Sequence, residues 1–260
     1  MNAAQVANHI TDWLRSYNRD SGTKGFVVGV SGGIDSAVTS ALCAATLEPV
    51  LLLELPIHQG EAQVTRAAEH IRKLEEQFSH VSHIRVDLTD TYESIKKDLV
   101  EVENDDMALV NTRARLRMTT LYYYAGAKAM LVAGTGNKVE DFGIGFFTKY
   151  GDGGVDLSPI ADLTKTEVYE LGKELGVIED IMVAPPTDGL WGDDRTDEDQ
   201  IGASYPELEW AMEQDAGGKS VGDFEGREAE VMKIYVSLNR ANLHKMNPIP
   251  VCVIPEAMRS

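Results

Sequence analysis

The segment VVGVSGGIDSAV, residues 27–38, runs from an apolar stretch into Ser31, Gly32, Gly33, Ile34, Asp35 and Ser36. Two glycines let a backbone approach an anion closely, and two hydroxyls can donate to it. Placed between a strand and a helix, the same residues expose the helix's first amides, which attract phosphate. A carboxylate beside phosphates needs a shared cation, and Mg²⁺ is the cation that carboxylates and phosphates commonly hold together. The loop lacks the lysine of G-x-x-x-x-G-K-[ST], so it has no group of that kind to reach a γ-phosphate. A plain tight turn, with Asp35 as a first-turn helix charge, would leave the paired glycines and paired serines without a purpose.

A second group of chemistry-bearing residues lies in GTGNKVEDFGIGFFTKYGDGGVDLSPIADLTK, residues 134–165, which contains Glu140, Lys149, Asp152, Asp156 and Lys165. Asp35 and Glu140, on loops after two different strands, are suited to share one Mg²⁺ with phosphate oxygens and water. Lys149 and Lys165 are suited to neutralise the charge that builds on departing pyrophosphate.

These groups need a scaffold, and the chain alternates strand-like with helix-like segments. Strands are predicted at 26–30, 50–56, 83–88 and 130–135, and helices at 36–45, 61–78, 91–101, 109–128, 164–175 and 225–245. An amphipathic helix is predicted in the first twenty residues, with Val6, Ile10, Trp13, Leu14 and Tyr17 near helical spacing. Strands apolar on both faces argue for a doubly wound parallel sheet with helices on both sides, and for one α/β domain over residues 1–260. Ligands then bind at the carboxyl ends of the strands. The acidic, Gly/Pro-rich stretch 185–200 reads as a lid that excludes water from a reactive intermediate.

The net charge of −18 disfavours nucleic acid as a partner. No apolar run approaches the roughly 20 residues of a membrane span, and a cytoplasmic location is expected. Cys43 and Cys252 each stand in an apolar stretch and read as core thiols, with neither a disulfide nor a zinc site implied.

The SGGIDS loop resembles the SGGxDS pyrophosphate loop of the N-type ATP pyrophosphatases, which implies an adenine nucleotide alpha hydrolase-like fold. That motif alone leaves GMP synthetase, asparagine synthetase, argininosuccinate synthase and tRNA-modifying ligases open. The second cluster is more specific. Gly134, Thr135, Asn137 and Glu140, then Gly145 to Gly153 with Asp156, then Pro159, Ile160, Leu163 and Lys165 match the G-T-x-N-x-x-E, G-[FY]-[FL]-T-K-Y-G-D-G-x-x-D and P-[IL]-x-x-L-x-K segments of the NAD synthetase family. NTRARLRM, residues 111–118, is similar to that family's N-x-x-A-R-x-R-M segment.

The resemblance implies that ATP activates deamido-NAD as an acyl adenylate and that ammonia displaces AMP to give NAD. It places Gly29, Ser31, Gly32, Gly33, Ile34, Asp35, Ser36, Thr135, Lys165 and Thr187 at ATP or pyrophosphate, and Asp35 and Glu140 at Mg²⁺. It places Arg117, Lys149, Asp152, Asp156, His244 and Lys245 at deamido-NAD, with Asp152, Lys149 and Lys165 in catalytic roles. Asp152 is the candidate acceptor of the ammonium proton. Glutamine-dependent members carry a further amidase domain with a catalytic Cys, which this sequence does not offer, so free ammonia is the expected nitrogen donor.

The family's helix corresponding to 109–128 pairs across a two-fold axis with deamido-NAD at the interface, so the resemblance implies a homodimer. In this chain that helix carries Leu116, Leu121 and Tyr122 to Tyr124 beside Arg113, Arg115 and Arg117. Two departures from the family pattern stand out. Glu54 replaces a common basic residue before Leu55-Pro56, near the adenine, where Gln59 or Gln63 are alternative contacts. The P-T-A-[DG]-L pattern reads Pro186-Thr187-Asp188-Gly189-Leu190. A non-catalytic adenine-nucleotide sensor could also keep the glycine loop, but it would need neither a carboxylate pair nor two lysines near the phosphates.

Overall fold

The computed structural model describes every residue except 101, 103, 104, 188–195 and 260. Among the described residues four parallel strands form the sheet: β1 (Phe26–Gly29), β2 (Val50–Glu54), β3 (Val81–Arg85) and β4 (Leu131–Val132), in the order β3-β2-β1-β4. From β1 the chain builds outward through β2 to β3, then returns to add β4 on the other side. The order therefore reverses at β1, and a doubly wound sheet opens its ligand crevice at such a reversal.

Alternation along the strands divides the core between two faces. Phe26, Val28, Val50 and Leu52 face one cluster, packed under α1 (Ala3–Ser21), α2 (Ile34–Ala45), α3 (Glu61–Gln77) and α6 (Lys165–Glu174). Val27, Leu51 and Leu53 face the other, with Tyr92 of α4 (Thr89–Asp98) and Ala125 of α5 (Asp106–Lys128). Both faces of the sheet are covered, as the apolar strands require. A third cluster lies outside the sheet. There α9 (Tyr205–Ala216) and α10 (Gly226–Met246) bury Leu208, Val231 and Met232 against a π turn at Val139–Ile144.

Several elements differ from the sequence expectations. β3 begins two residues earlier than 83 because its apolar signal is misplaced: within this edge strand only Val81 is buried and Ile84 is half-buried against the second core cluster, while Val86 and the buried Leu88 join that cluster past the strand's end. The ladder continues past its end through Val86 N–H to Glu54 O at 2.9 Å. In α1 the buried stripe is Ala7, Ile10, Thr11, Leu14 and Asn18, while Trp13 and Tyr17 meet outside as a tilted ring pair, their centroids 5.7 Å apart. Cys43 is buried, and burial pushes its thiol up. Cys252 is exposed, contrary to its reading as a core thiol, because Pro248, Pro250 and Pro255 keep its apolar neighbours out of helix and sheet. The short helices α7 (Glu179–Met182) and α8 (Asp197–Ile201) flank the expected lid, of which residues 188–195 lie outside the described residues.

Behind the glycine loop, α2 and α3 are joined by a buried polar pair. Ser40 donates to Ala37 O at 3.0 Å, so His70 Nε2–H is left to donate to Ser40 Oγ at 2.9 Å. His70 Nδ1 finds no partner among the described residues, and burial brings the imidazole down to about 4. The unfolded chain therefore takes up this proton first as pH falls. Stability should fall between about pH 6.5 and 4, by up to about 3 kcal/mol from this group. Denaturant melts at pH 7.5 and 5 should show a difference that shrinks in His70→Gln; an undiminished difference would assign the effect elsewhere.

Candidate active site

A cavity of about 680 Å³ opens at the carboxyl ends of β1, β2 and β4. Its floor is the SGGIDS loop. Gly32 has φ +85°, and a Cβ there would lie 2.4 Å from Gln63 O of α3, so the loop tolerates no side chain at that point. Gly33 caps α2 with extended backbone and no side-chain hydrogen bond, leaving first-turn amides for an anion. Ser31 Oγ and Ser36 Oγ lie 3.1 Å apart, and Gly33 N–H donates to Ser31 Oγ at 3.2 Å. Ile34 packs its side chain into the core and offers the site only its amide, while Gly29 lies against Leu121 of α5. Thr135 and Thr187 also line the cavity.

At the rim of this cradle, Lys165 is the first residue of α6, fixed by a capping box between Thr164 and Glu167. Its ammonium is buried between two carboxylates, 2.5 Å from Asp35 Oδ2 and 3.0 Å from Glu140 Oε1. It also lies 4.7 Å from the ring centroid of Tyr205, whose hydroxyl donates to Glu140 at 2.5 Å. Burial alone would discharge Lys165, but the attraction of Asp35 and Glu140 outweighs it and raises its pKa. Burial also opposes ionisation of Glu140; Lys165 and the hydrogen bonds from Tyr205, Lys165 and Asn137 overcome this and hold its carboxyl low. Asp35 is raised, by burial first and then by Glu140, against the pull of Lys165. One positive charge thus serves two carboxylates, and Asp35 is the less satisfied of them.

Asn137 orders this cluster. Its Nδ2 donates to Asp35 Oδ1 at 3.1 Å, and its Oδ1 accepts from the amides of Val139 and Glu140, both at 3.1 Å. The π turn that follows brings the consecutive residues Glu140 and Asp141 both to the cavity wall. Burial, then repulsion from Glu140, Asp152 and Asp35, pushes the Asp141 carboxyl up to about 8. Gly136 leaves room for this carboxylate, since a Cβ there would lie 2.1 Å from Asp141 Oδ2 and the Asp141 side chain would have to move.

One face of α10 caps the far end of the turn. Asn239 donates to Gly143 O at 2.7 Å, Asn242 to Ile144 O at 2.8 Å, and Lys245 to Gly145 O at 2.9 Å and Phe147 O at 2.8 Å.

The candidate deamido-NAD residues divide. Arg117 lines the cavity and donates to Leu55 O and Gln59 Oε1, both at 2.9 Å. Asp152 also lines it, with Oδ1 accepting from Thr148 N–H at 2.9 Å. Lys149 does not meet the phosphate cradle; it donates to His244 O of α10, and the His244 ring is exposed. Asp156 accepts from Val132 N–H at 2.8 Å and Tyr122 Oη–H at 2.9 Å, so its carboxylate extends the sheet's hydrogen bonding beyond β4. Asn137 was visible in the sequence as a motif position without a role. Tyr205 and the α10 asparagines carry no local signal, because their function arises only when distant elements pack.

Residues 6–248 match the family model for NAD synthase. The NH(3)-dependent NAD(+) synthetase of Carboxydothermus hydrogenoformans is 37% identical over 231 residues, covering 86% of this chain and 91% of that relative. The protein of the same name from Methanococcoides burtonii is 36% identical over 256 residues, covering 94% and 93%. Among solved structures, NMN synthetase from Francisella tularensis superposes with a TM-score of 0.82 at 30% identity, covering 98% of this chain and 99% of that one. NH3-dependent NAD synthetase from Campylobacter jejuni, in complex with the nitrate ion, shares the fold with a TM-score of 0.78 at 24% identity, covering 97% and 100%.

Proposed function

The chain belongs to the NAD synthase family and amidates deamido-NAD with ammonia and ATP, and we propose that it does so through an acyl adenylate formed at Asp35, Glu140 and Lys165. The observation that carries this site is the buried Lys165 ammonium held by both carboxylates at the rim of an anion cradle.

In the first step a nicotinate carboxylate oxygen bonds to the α-phosphorus of ATP. The bond from that phosphorus to the bridging oxygen breaks, and pyrophosphate departs. The α2 amides and the hydroxyls of Ser31 and Ser36 hold the pyrophosphate, while Lys165 offsets its growing charge. In the second step ammonia bonds to the carboxyl carbon, AMP leaves with one former carboxylate oxygen, and the nitrogen gives up a proton. Asp152, on the cavity wall, is the proposed acceptor.

Asp35 and Glu140 converge on one cation position, filled here by the Lys165 ammonium, and such a pair of hard oxygen donors is what Mg²⁺ takes beside phosphates. Asp35 and Glu140 would hold it, and when bound it supplies charge neutralisation on the phosphates.

The similarity to an NMN synthetase favours a second reading, in which nicotinate mononucleotide is the acid amidated. Both acids present the same reacting carboxylate, so the choice rests on contacts to the adenylyl half of deamido-NAD. With the two acids at equal concentration, ATP and ammonium, NAD should form at least about tenfold faster than NMN, a difference of about 1.4 kcal/mol. Predominant NMN would shift the function to the second reading.

A homodimer is proposed across α5, which exposes Met107 at 54% and Tyr123 at 69%. Leu243 of α10 is exposed as well. Light scattering at micromolar concentration should give twice the chain mass; an active monomer would remove the proposal. Among the described residues no helix is long and apolar enough to cross a membrane. We place the enzyme in the cytoplasm with its nucleotide substrates, and recovery of the activity in a membrane or periplasmic fraction would refute that placement.

A further inference from the structure

Glu54 ends β2 on the cavity wall, with its side chain only 6% exposed. Strand register sets Arg85 of β3 opposite it, with Nε 3.1 Å from Oε1. Yet among the described residues Oε1 accepts no hydrogen bond, so the guanidinium supplies charge without a directed N–H. Oε1 is sealed off, but among the described residues no donor reaches Oε2 either, and Oε2 is the oxygen left open for a donor on a ligand in the cavity.

The strand order decides which ligand group comes near. Phosphates on the SGGIDS loop sit at the end of β1. Lys165, Glu140 and Thr135 occupy the β4 side, which leaves the β2 side, walled by Leu55, Pro56 and Val64, for the nucleoside. In doubly wound nucleotide-binding sheets, a carboxylate about 20 residues beyond the glycine loop accepts from a ribose hydroxyl. Glu54 has that spacing from the loop and that place at the end of the adjacent strand. We propose that Glu54 accepts a hydrogen bond from a ribose hydroxyl of ATP and makes the enzyme selective for the ribonucleotide.

This rests on the reading that ATP phosphates occupy the glycine loop. The test measures kcat/KM for ATP, 2′-deoxy-ATP, 3′-deoxy-ATP and inosine triphosphate in the wild type, Glu54→Gln and Glu54→Leu. The wild type should prefer ATP over one deoxy analogue by about tenfold or more, as expected for a hydrogen bond to a charged group. Glu54→Leu should reduce that preference to within about threefold, and Glu54→Gln to an intermediate value, with the ATP-to-inosine triphosphate ratio unchanged. Each ratio is taken within one protein, so a partly unfolded variant still reports it. Deoxy ratios that stay as in the wild type overturn the proposal. So does collapse of the inosine triphosphate ratio alone, which would assign Glu54 to the adenine amino group. If the wild type released no AMP and pyrophosphate from ATP, the adenylation reading itself would fail instead.

Discussion

Lys165→Met lowers kcat/KM for NAD formation by about 10³-fold, the upper range for removing one preorganised group from a developing charge. The size of the effect follows from placement. The lysine side chain is 4% exposed and those of its two carboxylate partners 16% and 15%, so water cannot readily stand in for the ammonium. Removal also leaves two negative charges facing each other. Breaking a buried pair typically costs about 3–5 kcal/mol, but Asp35, already raised by burial, can take a proton and relieve part of it. The variant should therefore fold with a lower melting temperature. Its activity is to be compared below that melting temperature. Lys165→Arg keeps the charge but places a planar fork where a point charge sits between Asp35, Glu140 and the Tyr205 ring, and should recover only part of the rate. More than a tenth of wild-type activity in folded Lys165→Met would contradict the role given to this residue.

Asp35→Asn and Glu140→Gln should each lower turnover by about 10²–10³-fold and raise the Mg²⁺ concentration needed for half-maximal rate. Glu140→Gln keeps an oxygen that can accept from both Lys165 and Tyr205, so its loss reports the missing charge, whereas Asp35→Asn offers one oxygen to the two donors Asn137 and Lys165 and loses a hydrogen bond as well. Asp35→Asn should therefore be the more disruptive to its surroundings, since its two donors reach different oxygens while Tyr205 and Lys165 both donate to Glu140 Oε1. The effects should also be strongly non-additive with Lys165→Met, because the three groups act as one cluster. An unaltered Mg²⁺ dependence in both variants would exclude the shared-metal assignment.

How far the sequence exposed this arrangement depends on the range of the interactions involved. The glycine loop was legible because its chemistry is local: Gly32, Gly33 and the two serines lie within six residues, at a strand-to-helix junction that the apolar pattern marks. Asp35, Glu140 and Lys165 were legible as chemical types, but Lys149 looked equivalent to Lys165 in one dimension. Only the capping of α6 by Thr164 and the burial of its first residue separate them. The π turn was invisible, since neither the 3.6 nor the two-residue period describes it. Lys245 reads as a substrate contact and lines the cavity, and it also hydrogen-bonds two carbonyls beyond the turn, a second role that depends on α10 lying across it and has no signal in the sequence. Asp156 likewise reads as a ligand residue and here completes backbone hydrogen bonding at β4, a strand too short to do so by itself.

The measurement that tests the adenylate account most directly follows oxygen. Deamido-NAD labelled with ¹⁸O at both carboxylate oxygens is converted with ATP and excess ammonium, and AMP, pyrophosphate and NAD are analysed by mass spectrometry. One labelled oxygen should appear in each AMP, the other should remain in the carboxamide of NAD, and pyrophosphate should carry none. Unlabelled AMP, or formation of ADP with label in inorganic phosphate, would contradict it.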